Sequence, residues 1–202
     1  MSILVCILLE YHKHKSLKMR AFLLIVFFAG VLSSCSSAKI VEDPIKAKQL
    51  KEWIDNKELK VYANTASPIA TAEINQLSSL LVQGSTPNRI LLTSGQDYFI
   101  MSGDKISADL PYYGVRQMGG EYNQKKGGII FDGPYKSYKT DYNEKKRMYT
   151  LRYRITHNRE SFNVVVKVFE NLKAEIFVNT SHRTAINYSG VVRNMDKDLA
   201  SK

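Results

Sequence analysis

The chain is predicted to be mainly β: an antiparallel meander forming a sandwich or partly closed barrel of about nine strands, with one N-terminal helix packed on it. Three features point there. Between residues 148 and 192 apolar and polar residues alternate through consecutive runs, and a period of two sends successive side chains to opposite faces of a pleated strand. Short polar turns separate these runs, which makes neighbouring strands antiparallel. Upstream, further short apolar runs lie between clusters of Gly, Pro, Asn, Asp and Ser, the usual punctuation of a β chain. A length of 202 residues suits one well-buried domain, and 44% hydrophobic with 24% charged residues is a globular rather than a disordered composition.

The elements follow in order. Asp43-Pro44 starts the helix, with Asp as N-cap and Pro at the first helical position. Ala47, Leu50, Trp53 and Ile54 recur at helical spacing, and the helix should end near Asn56. Its apolar face covers the sheet, with Trp53 as a packing residue. Residues 60–63 read as a first strand, interrupted by Pro68. Residues 71–82 are ambiguous, because Ile74, Leu77 and Leu81 suit a helix while the serines weaken it. Residues 84–88 form a loop, and 89–93 and 98–101 are strands joined through 94–97. Gly103-Asp104 turns the chain into a strand over 105–110. A Gly/Lys/Asn-rich loop over 119–128 leads to a buried strand at 129–131, a turn at Gly133-Pro134 and another strand at 135–140.

In the alternating stretch, 148–156 puts Tyr149, Leu151, Tyr153 and Ile155 on one side, and 161–170 puts Phe162, Val164, Val166 and Val168 there. Residues 174–180 set Ala174, Ile176 and Val178 against Glu175, Phe177 and Asn179, and 183–192 continues with Thr184, Ile186 and Tyr188. One face of this third of the molecule is buried.

Charge and cysteines bound the function. The formal charge is +10. Residues 35–110 carry 8 basic and 9 acidic groups, and 111–202 carry 17 and 9. A basic half attracts anionic partners, while the simpler reading is a solvated face whose lysines discourage edge-to-edge strand pairing. Cys6 and Cys35 are the two cysteines, and neither has the spacing of a zinc site.

Residues 21–32 form an uncharged apolar run preceded by Lys15, Lys18 and Arg20. A spanning helix needs ~20 such residues, so the run reads as the central part of a secretory signal. Leu32-Ser33-Ser34-Cys35 follows, and it resembles the lipobox of bacterial lipoproteins. That resemblance implies a diacylglyceryl group on the Cys35 sulfur. At ~0.8 kcal/mol per buried methylene, two or three chains anchor stably where one is marginal. Residues 1–34 are therefore expected to be a leader, with 19–34 the signal peptide. Met19-Arg20 makes a compact basic start, so translation is expected to begin there and 1–18 to be untranslated. Residues 35–41 are expected to be a tether, 42–193 a single β-rich domain, and 194–202 a flexible tail. Ser36 stands where an aspartate would favour inner-membrane retention in some bacteria, which leans towards an outer-membrane anchor facing the periplasm.

Several segments together are more specific than any one: 60–68 (Lys-Val-Tyr-Ala-Asn-Thr-Ala-Ser-Pro), Gly103-Asp104, Leu110-Pro111-Tyr112-Tyr113-Gly114, Gln117-Met118, 128–131 (Gly-Ile-Ile-Phe) and 181–190 (Ser-His-Arg-Thr-Ala-Ile-Asn-Tyr-Ser-Gly). In this order they resemble a family of small envelope lipoproteins typical of Bacteroidota, the domain of unknown function 4251. The resemblance covers roughly residues 60–192 and implies location and domain extent. It supplies no activity, substrate or catalytic residue.

Read as residues, Pro111 ends a strand and Gly114 supplies freedom for positive φ. Tyr112, Tyr113 and Tyr188 are expected to pack together, with the Arg183 guanidinium over a ring or paired to Asp109. This is both a packing cluster and the best candidate ligand patch.

Catalytic motifs are missing from the sequence: there is no G-x-S-x-G and no P-loop. His157 and His182 have no second His or Cys at ligand spacing, so no metal and no cofactor are expected. Asp104, Asp109, Asp132 and Asp141 sit near turns, where Asp is common for conformational reasons. Eight of the twelve tyrosines lie between Tyr112 and Tyr153, among lysines and arginines. In a nucleic-acid protein that pattern gives stacking plus phosphate contacts, but an envelope location leaves lipid, glycan and envelope proteins as partners. The expected function is a non-catalytic, lipid-anchored binding or scaffolding domain; the alternative is a lipocalin-like carrier of a small apolar or glycan ligand.

Overall fold

The computed structural model divides the chain into two units, Met1–Val41 and Glu42–Lys202. The residues it describes are 43–69, 81–117 and 127–193, all in the second unit. The expectations for the leader, Cys35, the tether, most of 71–82 and of the glycine-rich loop, and the tail lie outside them.

Helix α1 (Pro44–Asp55) starts as the sequence predicts: the Asp43 carboxylate accepts from Lys46 N at 3.2 Å, and Asn56 caps the other end. It buries Leu50 and Ile54, and Trp53 packs half-buried beside them. Ten strands follow among the described residues: β1 (Glu58–Pro68), β2 (Ile90–Leu91), β3 (Tyr98–Ser102), β4 (Lys105–Leu110), β5 (Ile129–Pro134), β6 (Ser137–Asn143), β7 (Met148–His157), β8 (Glu160–Phe169), β9 (Lys173–Thr180) and β10 (Ile186–Arg193).

All strand pairs are antiparallel, in one sheet ordered β5-β4-β3-β1-β10-β9-β8-β7-β6, with β2 paired to β1 beside this path. One continuous sheet curls on itself, so the architecture is a partly closed half-barrel and not a two-sheet sandwich. Nor is it a simple meander. β1 lies between β3 and β10, joining an N-terminal hairpin arm to the C-terminal arm predicted from the alternation.

A bulge lets β1 serve both arms. The register with β10 slips between Ala63 and Thr65, so Asn64 is extra. Residues 58–62 pair with β3, while Thr65 and Ala66 pair with β2. A bulge bends its strand and increases its twist, and here it divides β1 between two neighbours on one edge. Opposite it, Gly190 is packed so close that a Cβ there would lie 1.9 Å from the Tyr62 carbonyl oxygen.

The inner face is apolar and continuous. Phe131 of β5 meets Phe162 of β8 with ring centroids 5.2 Å apart, and Phe99 of β3 meets Tyr153 of β7 at 5.6 Å. These contacts cross the interior from one arm to the other, and the core cluster runs from Leu50 to Val192. Turn geometry agrees with the strand twist. Asn158 and Arg159 both take positive φ in the two-residue β7–β8 turn, as a type I′ hairpin requires.

Several predicted boundaries move. β1 runs on to Pro68 instead of stopping near Ala63, because Pro68 is the last paired residue and needs no further donor. The strand predicted over 89–93 shrinks to Ile90–Leu91. The turn predicted at Gly133-Pro134 falls at 135–136, since both residues pair with β4 through Ile106 and Lys105. β10 begins at Ile186, not Arg183; Arg183 makes an isolated bridge to Arg116 instead.

Candidate functional site

The segment after β4 and the segment before β10 lie side by side. Pro111 ends β4, and residues 112–117 then run against 182–184: Thr184 N donates to Val115 O at 3.0 Å and Gln117 N to His182 O at 2.7 Å. Tyr112 locks the pair. Its hydroxyl lies 2.8 Å from Thr184 Oγ1, 3.1 Å from Thr184 O and 3.0 Å from Val115 O. The buried Tyr188 hydroxyl donates to Pro111 O at 2.8 Å. Burial pushes the Tyr188 phenol well above its ordinary range and raises that of Tyr113.

Gly114 is needed for closeness, not for handedness. Its φ is not positive, contrary to the sequence expectation, but a Cβ there would lie 2.4 Å from the Tyr112 hydroxyl and 2.8 Å from Thr184 Oγ1.

Arg183 is 7% exposed and holds three parts of the molecule together. One terminal nitrogen donates to Gly127 O at 2.8 Å and Gly128 O at 2.7 Å, at the entry to β5. The guanidinium carbon sits 5.3 Å from the Tyr112 ring centroid. The carboxylate partner is Glu160, which opens β8 and is 5% exposed; Nε lies 3.1 Å from Oε1. That approach is ion pairing without hydrogen-bond geometry, and among the described residues neither atom has a hydrogen-bond partner. Asp109, the alternative considered from sequence, sits on β4 opposite Tyr98 and Ile130, at the outward parity between buried Ala108 and Leu110. The sequence could not separate the two carboxylates, because the Glu160 pairing depends on where the β7–β8 hairpin lands.

Of the five predicted residues, Tyr112, Tyr188 and Arg183 thus share one clamp, Tyr113 is partly buried against the core, and Asp109 stands on the outward side of β4. The Tyr112 hydroxyl is spent on Thr184 and Val115, the Tyr188 hydroxyl on Pro111 O, and the Arg183 guanidinium on two glycine carbonyls and the Glu160 carboxylate. The arrangement clamps β4, β5, β8 and β10 and presents no activated nucleophile.

A second cluster lies at the opposite end of β4 and β5. Lys57, in a left-handed conformation after α1, places Nζ 2.7 Å from Asp104 Oδ1 and 3.3 Å from the Tyr135 hydroxyl. Hydrogen bonding to Asp104 raises the Lys57 pKa, and the same bond lowers that of Asp104. Tyr135 and Tyr138 pack on Tyr153 at 5.6 and 5.2 Å.

The convex side carries a feature that the sequence reading missed. Lys139, Arg152, Val165, Phe177 and Asn187 stand in one cross-strand row from β6 to β10. A depression of about 390 Å3 lies over the β6–β8 end, between Lys139, Arg152, Arg154 and Asn163. A second, about 200 Å3, lies beside Phe177 and Asn187, and the two meet at Val165. The available signal was a breach of alternation: Val165 and Phe177 are apolar at solvent-side positions of β8 and β9.

Among the described residues no group of three His, Cys, Asp or Glu side chains is placed to hold a metal ion. No helix among them is long and apolar enough to cross a membrane.

The family described as "Domain of unknown function (DUF4251)" matches residues 42–192. Among solved structures, the chain is similar to the crystal structure of a DUF4251 family protein from Bacteroides eggerthii DSM 20697. Identity is 11% and the TM-score 0.52, covering 77% of this chain and 91% of that one. At that identity the likeness concerns the fold alone. No curated protein matches.

Proposed function

This chain belongs to the DUF4251 family, and from that premise we propose that it is a lipid-anchored envelope protein whose folded domain binds or scaffolds an envelope component without catalysis. The observation that carries this reading is the state of the inner face. Phe131 on Phe162 and Phe99 on Tyr153 fill the space between the two arms, and the clamp around Arg183 uses its own polar groups. Such packing suits a rigid platform, and it weighs against a lipocalin-like carrier with the barrel interior as pocket. The anchor is argued from the apolar run 21–32 and from Leu32-Ser33-Ser34-Cys35, and the outer membrane facing the periplasm is the location proposed with it.

The test has two parts. Labelled palmitate should enter the native protein and not the Cys35→Ser variant, and the variant should leave the membrane fraction. Crosslinking of the anchored protein in its own cells should then capture an envelope component. Absence of label in the native protein removes the anchor; a small apolar molecule released from the purified, denatured protein would restore the carrier.

A further inference from the structure

We infer that the convex face of β6–β10 is a binding surface for an acidic glycan, the cationic end holding a carboxylate and the Val165–Phe177 end stacking on a sugar ring. This rests on reading the domain as a binding module and names the chemistry of its ligand.

The first observation is the apolar pair. Val165 and Phe177 are cross-strand partners on the solvent side, and Phe177 is 40% exposed. Exposed apolar surface at a position that alternation reserves for polar residues loses burial free energy, ~25 cal/mol per Å2. A flat patch of this kind matches the C–H face of a saccharide ring, while Asn163 and Asn187 beside it offer amides for the hydroxyl rim.

The second observation is the charge distribution along the row. Towards β6 and β7 stand Lys139, Arg152 and Arg154, and the acid paired there is Asp141, with Arg152. Arg154 Nε donates to Asn163 Oδ1 at 3.2 Å, which ties the guanidinium to the floor of the larger depression. Towards β9, Lys167 and Glu175 lie 3.9 Å apart and offset each other. One end of the row is therefore cationic, and the charges flanking the apolar Val165–Phe177 end cancel. Arginine forks suit carboxylates geometrically, so an acidic sugar residue belongs over Arg152 and Arg154, and its neighbour over Phe177. Five strands at ~4.8 Å spacing span roughly 19 Å, room for a short oligosaccharide lying across the strands.

The probe is a galacturonate oligomer, titrated calorimetrically into the full chain, with a neutral galactose oligomer and phosphatidylglycerol vesicles in parallel. The acidic oligomer should bind at least about tenfold more tightly than the neutral one, the scale of one charge-assisted bond. Lys139→Glu with Arg154→Glu should remove that preference. Phe177→Ser should weaken both oligomers by a similar factor. Exposed side chains are changed, so melting temperatures should stay near the parent and report any variant that fails to fold. No binding of the acidic oligomer, equal binding by parent and variants, or binding to vesicles alone overturns the assignment. Crosslinked envelope partners captured through another face would leave the proposed function standing while this site fails; glycan binding by a chain that takes no palmitate would do the reverse.

Discussion

Arg183→Met tests whether the buried clamp works by charge pairing. The substitution keeps much of the side-chain volume and leaves the Glu160 carboxylate 5% exposed with no cation. An uncompensated buried charge costs about 3–5 kcal/mol. Two carbonyls also lose their donor; Gly127 is exposed and finds water, whereas Gly128 is half-buried and adds about 1 kcal/mol. The sum is about 5 kcal/mol. At roughly 3 °C per kcal/mol for a domain of this size, the melting temperature should fall by roughly 15 °C. The double variant Arg183→Met with Glu160→Met removes both charges, so it should recover half or more of that loss. A double-mutant cycle read by urea unfolding should then give a coupling of at least about 2–3 kcal/mol, larger by whatever Glu160→Met costs alone. Arg183→Lys keeps the charge and loses the fork, and should fall between parent and Arg183→Met. Additive single losses, with no recovery in the double variant, would refute charge pairing and leave Arg183 as a backbone tie. A melting temperature for Arg183→Met within about 3 °C of the parent would refute the clamp altogether.

Gly190→Ala should cost about 3 kcal/mol or more, because its Cβ would meet the Tyr62 carbonyl at 1.9 Å and force β1 from β10; soluble yield and thermal melting measure this. Gly95→Ala serves as a control for positive-φ strain alone, since a Cβ there meets nothing within 4 Å. Asp43→Ala removes the N-cap of α1 and should cost about 1 kcal/mol, while Asp43→Asn should restore most of it. Alkaline pH should unfold the protein. Burial raises the phenols of Tyr153 and Tyr188, and the hydrogen bond to Glu170 pushes Tyr142 up to about 12. A raised folded value means the native state holds the proton longer, so these groups stabilise fully below the ordinary tyrosine value of 10.0 and lose that contribution as pH rises through the folded values. The tyrosinate absorbance titration should lag that of the denatured chain until unfolding; coincident curves would contradict the burial of Tyr153 and Tyr188.

Much of the fold can be read directly from residue order, and the site largely cannot. Side-chain parity is a local property: steric pleating sends residue i and residue i+2 to the same face whatever the strand pairs with. Hence Phe162, Val164, Val166 and Val168, together with Ala174, Ile176 and Val178, are inner-face residues in the sequence and in the structure alike. The α1 cap is equally local, since Asp43 reaches a backbone N–H three residues on. Gly114 shows the limit of that reasoning. The need for glycine was legible, but its cause is the approach of Tyr112 and Thr184, the latter 70 positions away in the chain.

By itself, then, the sequence determined the β class, the inward face of the strands in the alternating stretch, and the capped helix. Only the tertiary structure decided that the sheet is single and curled, that β1 joins the two arms, that Arg183 pairs with Glu160 and not Asp109, and that Lys139, Arg154 and Phe177 share a convex face. Parity and capping depend on neighbours a few bonds apart. Closure, pairing partner and the company a surface side chain keeps depend on which distant strands meet, and that is set by the whole buried core at once.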